Sequence, residues 1–128
     1  MESTPILPQI VPAGRQIIER YAKGGFRISG VVHRGAVLVF PDETRPWAVS
    51  DIAGVSAESL AAVAEHGGVQ ILLLGLGSQG GLVPEALRAA LRAHGIIVEA
   101  MGTGAACRTF NVLVGEDRRV AAALLPTD

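Results

Sequence analysis

The segment Val69–Leu74, VQILLL, is apolar at every position but Gln70, with Gly67–Gly68 before it and Gly75-Leu76-Gly77 after it. A short run without alternation reads as a strand buried on both faces, so the chain must supply helices to cover it. It does. Ser56 is placed to cap a helix in which Leu60, Val63 and Ala64 recur at helical spacing, and Gly67–Gly68 stop it. Pro84 suits a first helical position, Val83, Leu87, Ala90 and Leu91 form an inner stripe, and His94-Gly95 closes that helix before the strand Ile96–Ala100. A third helix, Gly104–Val114, is predicted to start at an N-cap Thr103 and to leave through a left-handed Gly115, ahead of the strand Arg118–Leu125. The β–α–β–α–β order predicts an α/β fold of three layers, with packed helices on a mixed, mainly parallel sheet.

The first third of the chain has a different texture. Gln16–Tyr21, Phe26–His33 and Ala36–Phe40 are β-compatible runs separated by the turns Lys23-Gly24-Gly25 and Arg34-Gly35, which predicts an N-terminal antiparallel β meander. Gly30 inside the second run marks a bulge or a close backbone contact. Pro41 ends the third strand, and Pro46–Val49 is short and extended with Trp47 as a buried anchor. Residues 1–14, punctuated by Pro5, Pro8 and Pro12, read as a mobile N-terminal tail, leaving 15–128 as a single α/β domain. A domain of this size buries roughly two-thirds of its unfolded surface, enough for a core without staples.

Composition narrows the function classes. Hydrophobic residues make up 49% of the chain and charged ones only 18%, and the mean hydropathy is +0.40. Little polar material remains to cover the outside, so an apolar patch is expected to meet a protein partner or a second copy in a homo-oligomer. A net charge of −1 argues against nucleic acid, whose phosphates require a basic face. The single cysteine excludes an intrachain disulfide and a cysteine-based zinc site. His33, His66 and His94 show no ligand spacing with one another or with carboxylates, so no metal is expected. The longest apolar run falls far below the roughly 20 residues needed to span a bilayer. The N-terminus, MESTPILPQIVPAG, has the pattern of neither a secretion signal nor a transit peptide, so a cytoplasmic location without membrane insertion is expected.

Gly75-Leu76-Gly77-Ser78-Gln79-Gly80 is a literal GxGxxG after a strand, with Glu99 about 20 residues onward. The dinucleotide mechanism needs those glycines to open a helix toward the pyrophosphate, and here the helix waits until Pro84. No cofactor is therefore expected. A smaller site survives that objection, because ligands of α/β sheets lie beyond the carboxyl ends of the parallel strands. Those ends carry Gly75–Gly81 and Met101–Thr103. Free N–H groups at Thr103, Gly104 and Ala105, with Arg108 one turn on, would suit a small anion. The ligand-binding set is then Gly75, Gly77, Thr103, Gly104, Arg108 and Asn111. The competing reading is structural, with Arg108 and Asn111 hydrogen-bonding backbone to pin the helix to the sheet. Cys107 likewise divides between a thiolate favoured by the helix N-terminus and an inert buried thiol, and the second is preferred because no histidine is nearby in sequence. No catalytic residue is assigned.

Four segments together carry a resemblance: GAACRTFNVL…RRVAAAL, GGFRISG at Gly24–Gly30, PW at Pro46–Trp47 and LLLGLG at Leu72–Gly77. Over residues 16–125 the chain resembles a small single-domain α/β family of unassigned biochemical function. That family includes the mitochondrial respiratory complex I assembly factor 3 and stand-alone bacterial and archaeal members. The resemblance implies a fold and, from the mitochondrial members, a role in complex I assembly by protein contact, with no catalytic mechanism. The expected function is thus a non-enzymatic interaction or assembly-factor-like protein. The alternative is a small-molecule or anion-binding protein, with or without catalysis, whose pocket lies at the Gly75–Gly81 loop and the Thr103 helix N-terminus.

Overall fold

A computed structural model describes residues 3–6, 12–78 and 80–127. Strands β1 (Ser3–Pro5), β2 (Ile18–Ala22), β3 (Gly25–Ile28) and β4 (Val31–Arg34) form an antiparallel sheet in that order. Of the segment read as a tail, Ser3–Pro5 pairs with β2, and residues 1, 2 and 7–11 lie outside the described residues. The predicted single strand Phe26–His33 is two strands. Ser29 (φ 46°) and Gly30 (φ 81°) are both left-handed and make the hairpin turn between them, so Gly30 is a turn residue. The bulge falls instead between Ile18 and Arg20.

Strand β5 (Val37–Val39) leaves the meander that the sequence placed it in. Val37, Leu38 and Val39 are all buried, a pattern that calls for a strand covered on both faces. The strand runs antiparallel to the last strand, with Val37 opposite Leu124 and Val39 opposite Ala122. The second sheet has the order β6-β5-β9-β7-β8, where β6 is Thr44–Pro46, β7 Ile71–Leu76, β8 Ile97–Met101 and β9 Val120–Leu125. β7 is parallel to both β9 and β8, as the βαβ order requires.

The two faces of β7 explain its unbroken run of leucines. Leu72 and Leu74 face a core with Leu60, with Val63 of helix α1 (Ala61–His66), and with Leu87 and Leu91 of α2 (Glu85–Arg92). Leu73 faces the other side, against Ala106, Cys107, Phe110 and Val114 of α3 (Thr103–Gly115). Ile18, Phe26 and Ile28 of the first sheet join that second core. Trp47 is buried, and its indole N–H donates to the Ser59 carbonyl at 2.7 Å. Ser56 is not the N-cap expected of it: a 3-10 turn at Glu58–Leu60 intervenes and α1 starts after Leu60, while the Ser56 hydroxyl accepts from the Ser59 N–H at 3.1 Å and the Ser59 hydroxyl from the Ser56 N–H at 2.9 Å. No helix among the described residues is long and apolar enough to cross a membrane.

Candidate functional site

The carboxyl ends of β7, β8 and β9 meet at one edge of the large sheet, and Thr103 ties two of them together. Its Oγ1 accepts from the Gly77 N–H at 2.9 Å and donates to the Leu125 carbonyl at 2.5 Å. Its own N–H donates to the Gly77 carbonyl at 2.8 Å. The side chain is fully buried. This differs from the N-cap expected of it: Gly102 occupies that position with no side-chain cap, because the Thr103 hydroxyl is committed to β7 and β9. The exit of α3 also differs, with Asp117 (φ 59°) rather than Gly115 in the left-handed region.

The remaining sequence-selected residues do not converge on a single cavity. Gly75 lies beneath α3, where a Cβ would meet Leu124 Cδ2 at 2.8 Å and Thr103 Cα at 3.1 Å, so its absent side chain lets the helix approach the strand. Gly104 is covered by the Tyr21 hydroxyl, 2.6 Å from where a Cβ would stand. Asn111 is buried and binds backbone: Oδ1 accepts from the Ile18 N–H at 2.9 Å and Nδ2 donates to the Ile18 carbonyl at 2.8 Å. Arg108 is exposed and makes no hydrogen bond or ion pair among the described residues. The structural role considered for both residues thus belongs to Asn111 alone.

Cys107 has no measurable exposure, and burial pushes its thiol up to about 12, the nearby Arg108 charge opposing this only in part. Thiolate at pH 8 is then about 10⁻⁴ of the population. Alkylation by iodoacetamide in the native protein at pH 8 is expected to run at least about a thousandfold slower than for a free thiol. Full reactivity should return in denaturant. Fast native labelling, read by mass spectrometry, would contradict the inert reading.

Beside Thr103 the loop leading from β7 opens a cleft of about 420 Å³, lined on one side by Leu76, Gly77, Ser78 and Gly80 and on the other by Asp51, Ile52 and Pro126. Among the described residues, no arginine or lysine lines it. Ile52 at its edge is 49% exposed, and Leu82 on the same loop is 94% exposed. Gly81 joins the two walls, since a Cβ there would lie 3.1 Å from Leu76 Cδ1 and 3.8 Å from Ile52 Cδ1. Helix α2 begins only at Glu85, so the glycines of the motif do not open it. Gln79 of that motif lies outside the described residues.

Sequence reasoning missed a cluster at the opposite end of the sheet. His66 at the end of α1 lies against Asp42 and Glu43 of the β5–β6 turn. The separation in sequence hid it, because only the antiparallel β5–β6 hairpin beside α1 brings these residues together.

A family model described as a protein of unknown function (DUF498/DUF598) matches residues 18–125. An uncharacterized protein of Rhodobacter capsulatus is 42% identical over 115 residues, covering 89% of this chain and 87% of that one. NADH dehydrogenase [ubiquinone] 1 alpha subcomplex assembly factor 3 of Danio rerio is 34% identical over 125 residues, covering 97% of this chain and 71% of that one. The crystal structure of a protein described as an outer membrane protein from Bartonella henselae superposes with a TM-score of 0.83 at 37% identity, covering 90% of this chain and 98% of that one. With matches this extensive in sequence and in fold, the chain belongs to the DUF498/DUF598 family of proteins of unknown function.

Proposed function

We propose that this protein is a non-enzymatic, assembly-factor-like module of the cytoplasm that holds a protein partner at the loop end of its large sheet. The observation that carries this reading is a pair of exposed apolar side chains, Ile52 (49% exposed) on the wall of the cleft and Leu82 (94% exposed) on the loop that follows β7. Large apolar side chains grouped at the edge of a concavity are what a partner's anchor residues fill. The likeness to an assembly factor named for NADH dehydrogenase makes components of such a complex the first partners to look for. A second reading, a small-molecule site, draws on the same cleft. Among the described residues its lining offers Asp51 and no cation, which suits a neutral or cationic ligand better than the anion expected from the sequence.

The test is affinity purification of the full chain from its native cells, in parallel with an Ile52→Glu/Leu82→Glu variant. The unmodified chain is expected to recover a defined protein set, and the variant to recover it roughly tenfold less well, as for loss of an interface anchor. Equal recovery by both would remove the partner from this end of the molecule. Recovery of no specific protein would leave the small-molecule reading in front.

A further inference from the structure

The turn between β5 and β6 and the end of α1 bring three donor side chains to one point. His66 Nε2 lies 2.9 Å from Asp42 Oδ1 and 3.9 Å from Glu43 Oε2, and one donor atom from each residue falls within 4.8 Å of the others. Ligand atoms bound at about 2.0–2.2 Å in a tetrahedron sit about 3.3–3.6 Å apart. Closing this triad on an ion therefore needs only small movements of two carboxylates on an accessible turn.

The imidazole is already oriented for the task. It stacks on Phe40 with ring centroids 4.0 Å apart and planes within 6°. Nδ1 lies 3.1 Å from the Gly67 carbonyl, an oxygen that can only accept, so Nδ1 carries a proton. Nε2 lies at hydrogen-bond distance from Asp42 Oδ1, and a bound ion would take the place of the proton shared there. One ring nitrogen donating to a backbone carbonyl while the other faces outward is the support that metal-binding histidines use. Glu43 is held ionised: Arg45 donates to its Oε1 from Nε at 2.6 Å and to its Oε2 from Nη2 at 3.1 Å, and this pairing lowers the carboxyl pKa. Arg45 is in turn placed over the Phe40 ring at 5.2 Å.

The geometry points to a divalent transition-metal site of the Zn²⁺ class formed by His66 Nε2, Asp42 and Glu43. The nitrogen donor selects Zn²⁺ or Co²⁺ over Mg²⁺ and Ca²⁺, which take oxygen ligands. Three protein donors leave a coordination position for solvent. The bound ion clips the β5–β6 hairpin to α1 and so stabilises the folded chain by mass action. The site lies at the opposite end of the sheet from the proposed partner surface and stands independently of it.

The test titrates the full, tag-free, chelator-treated chain with Co²⁺, followed by its visible absorption, and with Zn²⁺ by calorimetry. One equivalent is expected to bind, Mg²⁺ in excess is expected not to displace it, and the melting temperature is expected to rise with Zn²⁺. His66→Ala should weaken binding by about tenfold or more, whereas His33→Ala and His94→Ala should leave it unchanged. An Asp42→Asn/Glu43→Gln variant, altered only on the accessible turn, should match the His66→Ala loss and preserves the test if the Phe40 stack is disturbed. Absence of saturable binding, or binding that survives both variants, overturns the site and leaves the His66–Asp42 contact as a hydrogen bond only.

Discussion

Replacing Asn111 by leucine is expected to destabilise the fold by about 2–6 kcal/mol, with a fall in melting temperature on the order of 10–20 °C. The argument begins at Ile18. A strand residue points its N–H and C=O to the same side, and at Ile18 that side has no strand neighbour among the described residues, where β1 pairs as far as Pro5 opposite Arg20. The side chain of Asn111 supplies the missing partner, with its carbonyl on the Ile18 N–H and its amide on the Ile18 C=O. Leucine has similar volume and neither group, so both backbone groups would stay buried and unpaired at a residue with 0% exposure. Each orphaned group costs about 1–3 kcal/mol, against a total stability of about 5–15 kcal/mol for a typical domain. Arg108→Ala is the matched control on the same helix; exposed and unbonded, it should stay within about 0.5 kcal/mol of the unsubstituted chain. Thermal and urea denaturation read both. An unchanged midpoint for Asn111→Leu would mean that water or a shifted strand takes over the amide's role.

These two residues also show how far the sequence could be read. Gly104, Cys107, Arg108 and Asn111 fall on one helical stripe, and periodicity correctly indicates a second face of α3 in addition to that of Ala106 and Phe110. It does not reveal how wide the covering neighbour is. The first sheet covers Gly104, Cys107 and Asn111 and leaves Arg108, on the same stripe, exposed. The unbroken apolar run of β7 and the alternation of helices and strands after Ser56 were legible, since burial on both faces leaves a direct mark on composition. The destination of β5 was less so. Val37-Leu38-Val39 fits a meander strand as well as a central one until its pairing with β9 is known. The site residues were the least legible, because Thr103, Gly77 and Leu125 meet only after the sheet has formed. The three residues around His66 had no local spacing at all.

Thr103→Val is expected to be nearly as damaging, at about 2–5 kcal/mol, and its effect should concentrate at the loop end of the sheet. Valine reproduces the shape of threonine and removes only the hydroxyl, so packing against Gly75 is retained. What is lost is a single oxygen that accepts from the Gly77 N–H and donates to the Leu125 carbonyl, two groups from adjacent parallel strands in a fully buried position. The Thr103 N–H bond to the Gly77 carbonyl survives, so the strands remain in register while the entry to the glycine loop loosens. Hydrogen exchange should accordingly accelerate at Gly77 and Ser78 well beyond any change at Leu72–Leu74 in the middle of β7. Thr103→Ser keeps the hydroxyl and should retain the slow exchange at the loop, separating the hydrogen bonds from the loss of a methyl group. If the loop that Thr103 anchors presents Leu82 to a partner, the valine variant should also bind that partner more weakly, because a looser loop must be ordered again on association. Uniform acceleration across the whole sheet would instead make Thr103 a general stability element, with no particular hold on the surface where binding is proposed.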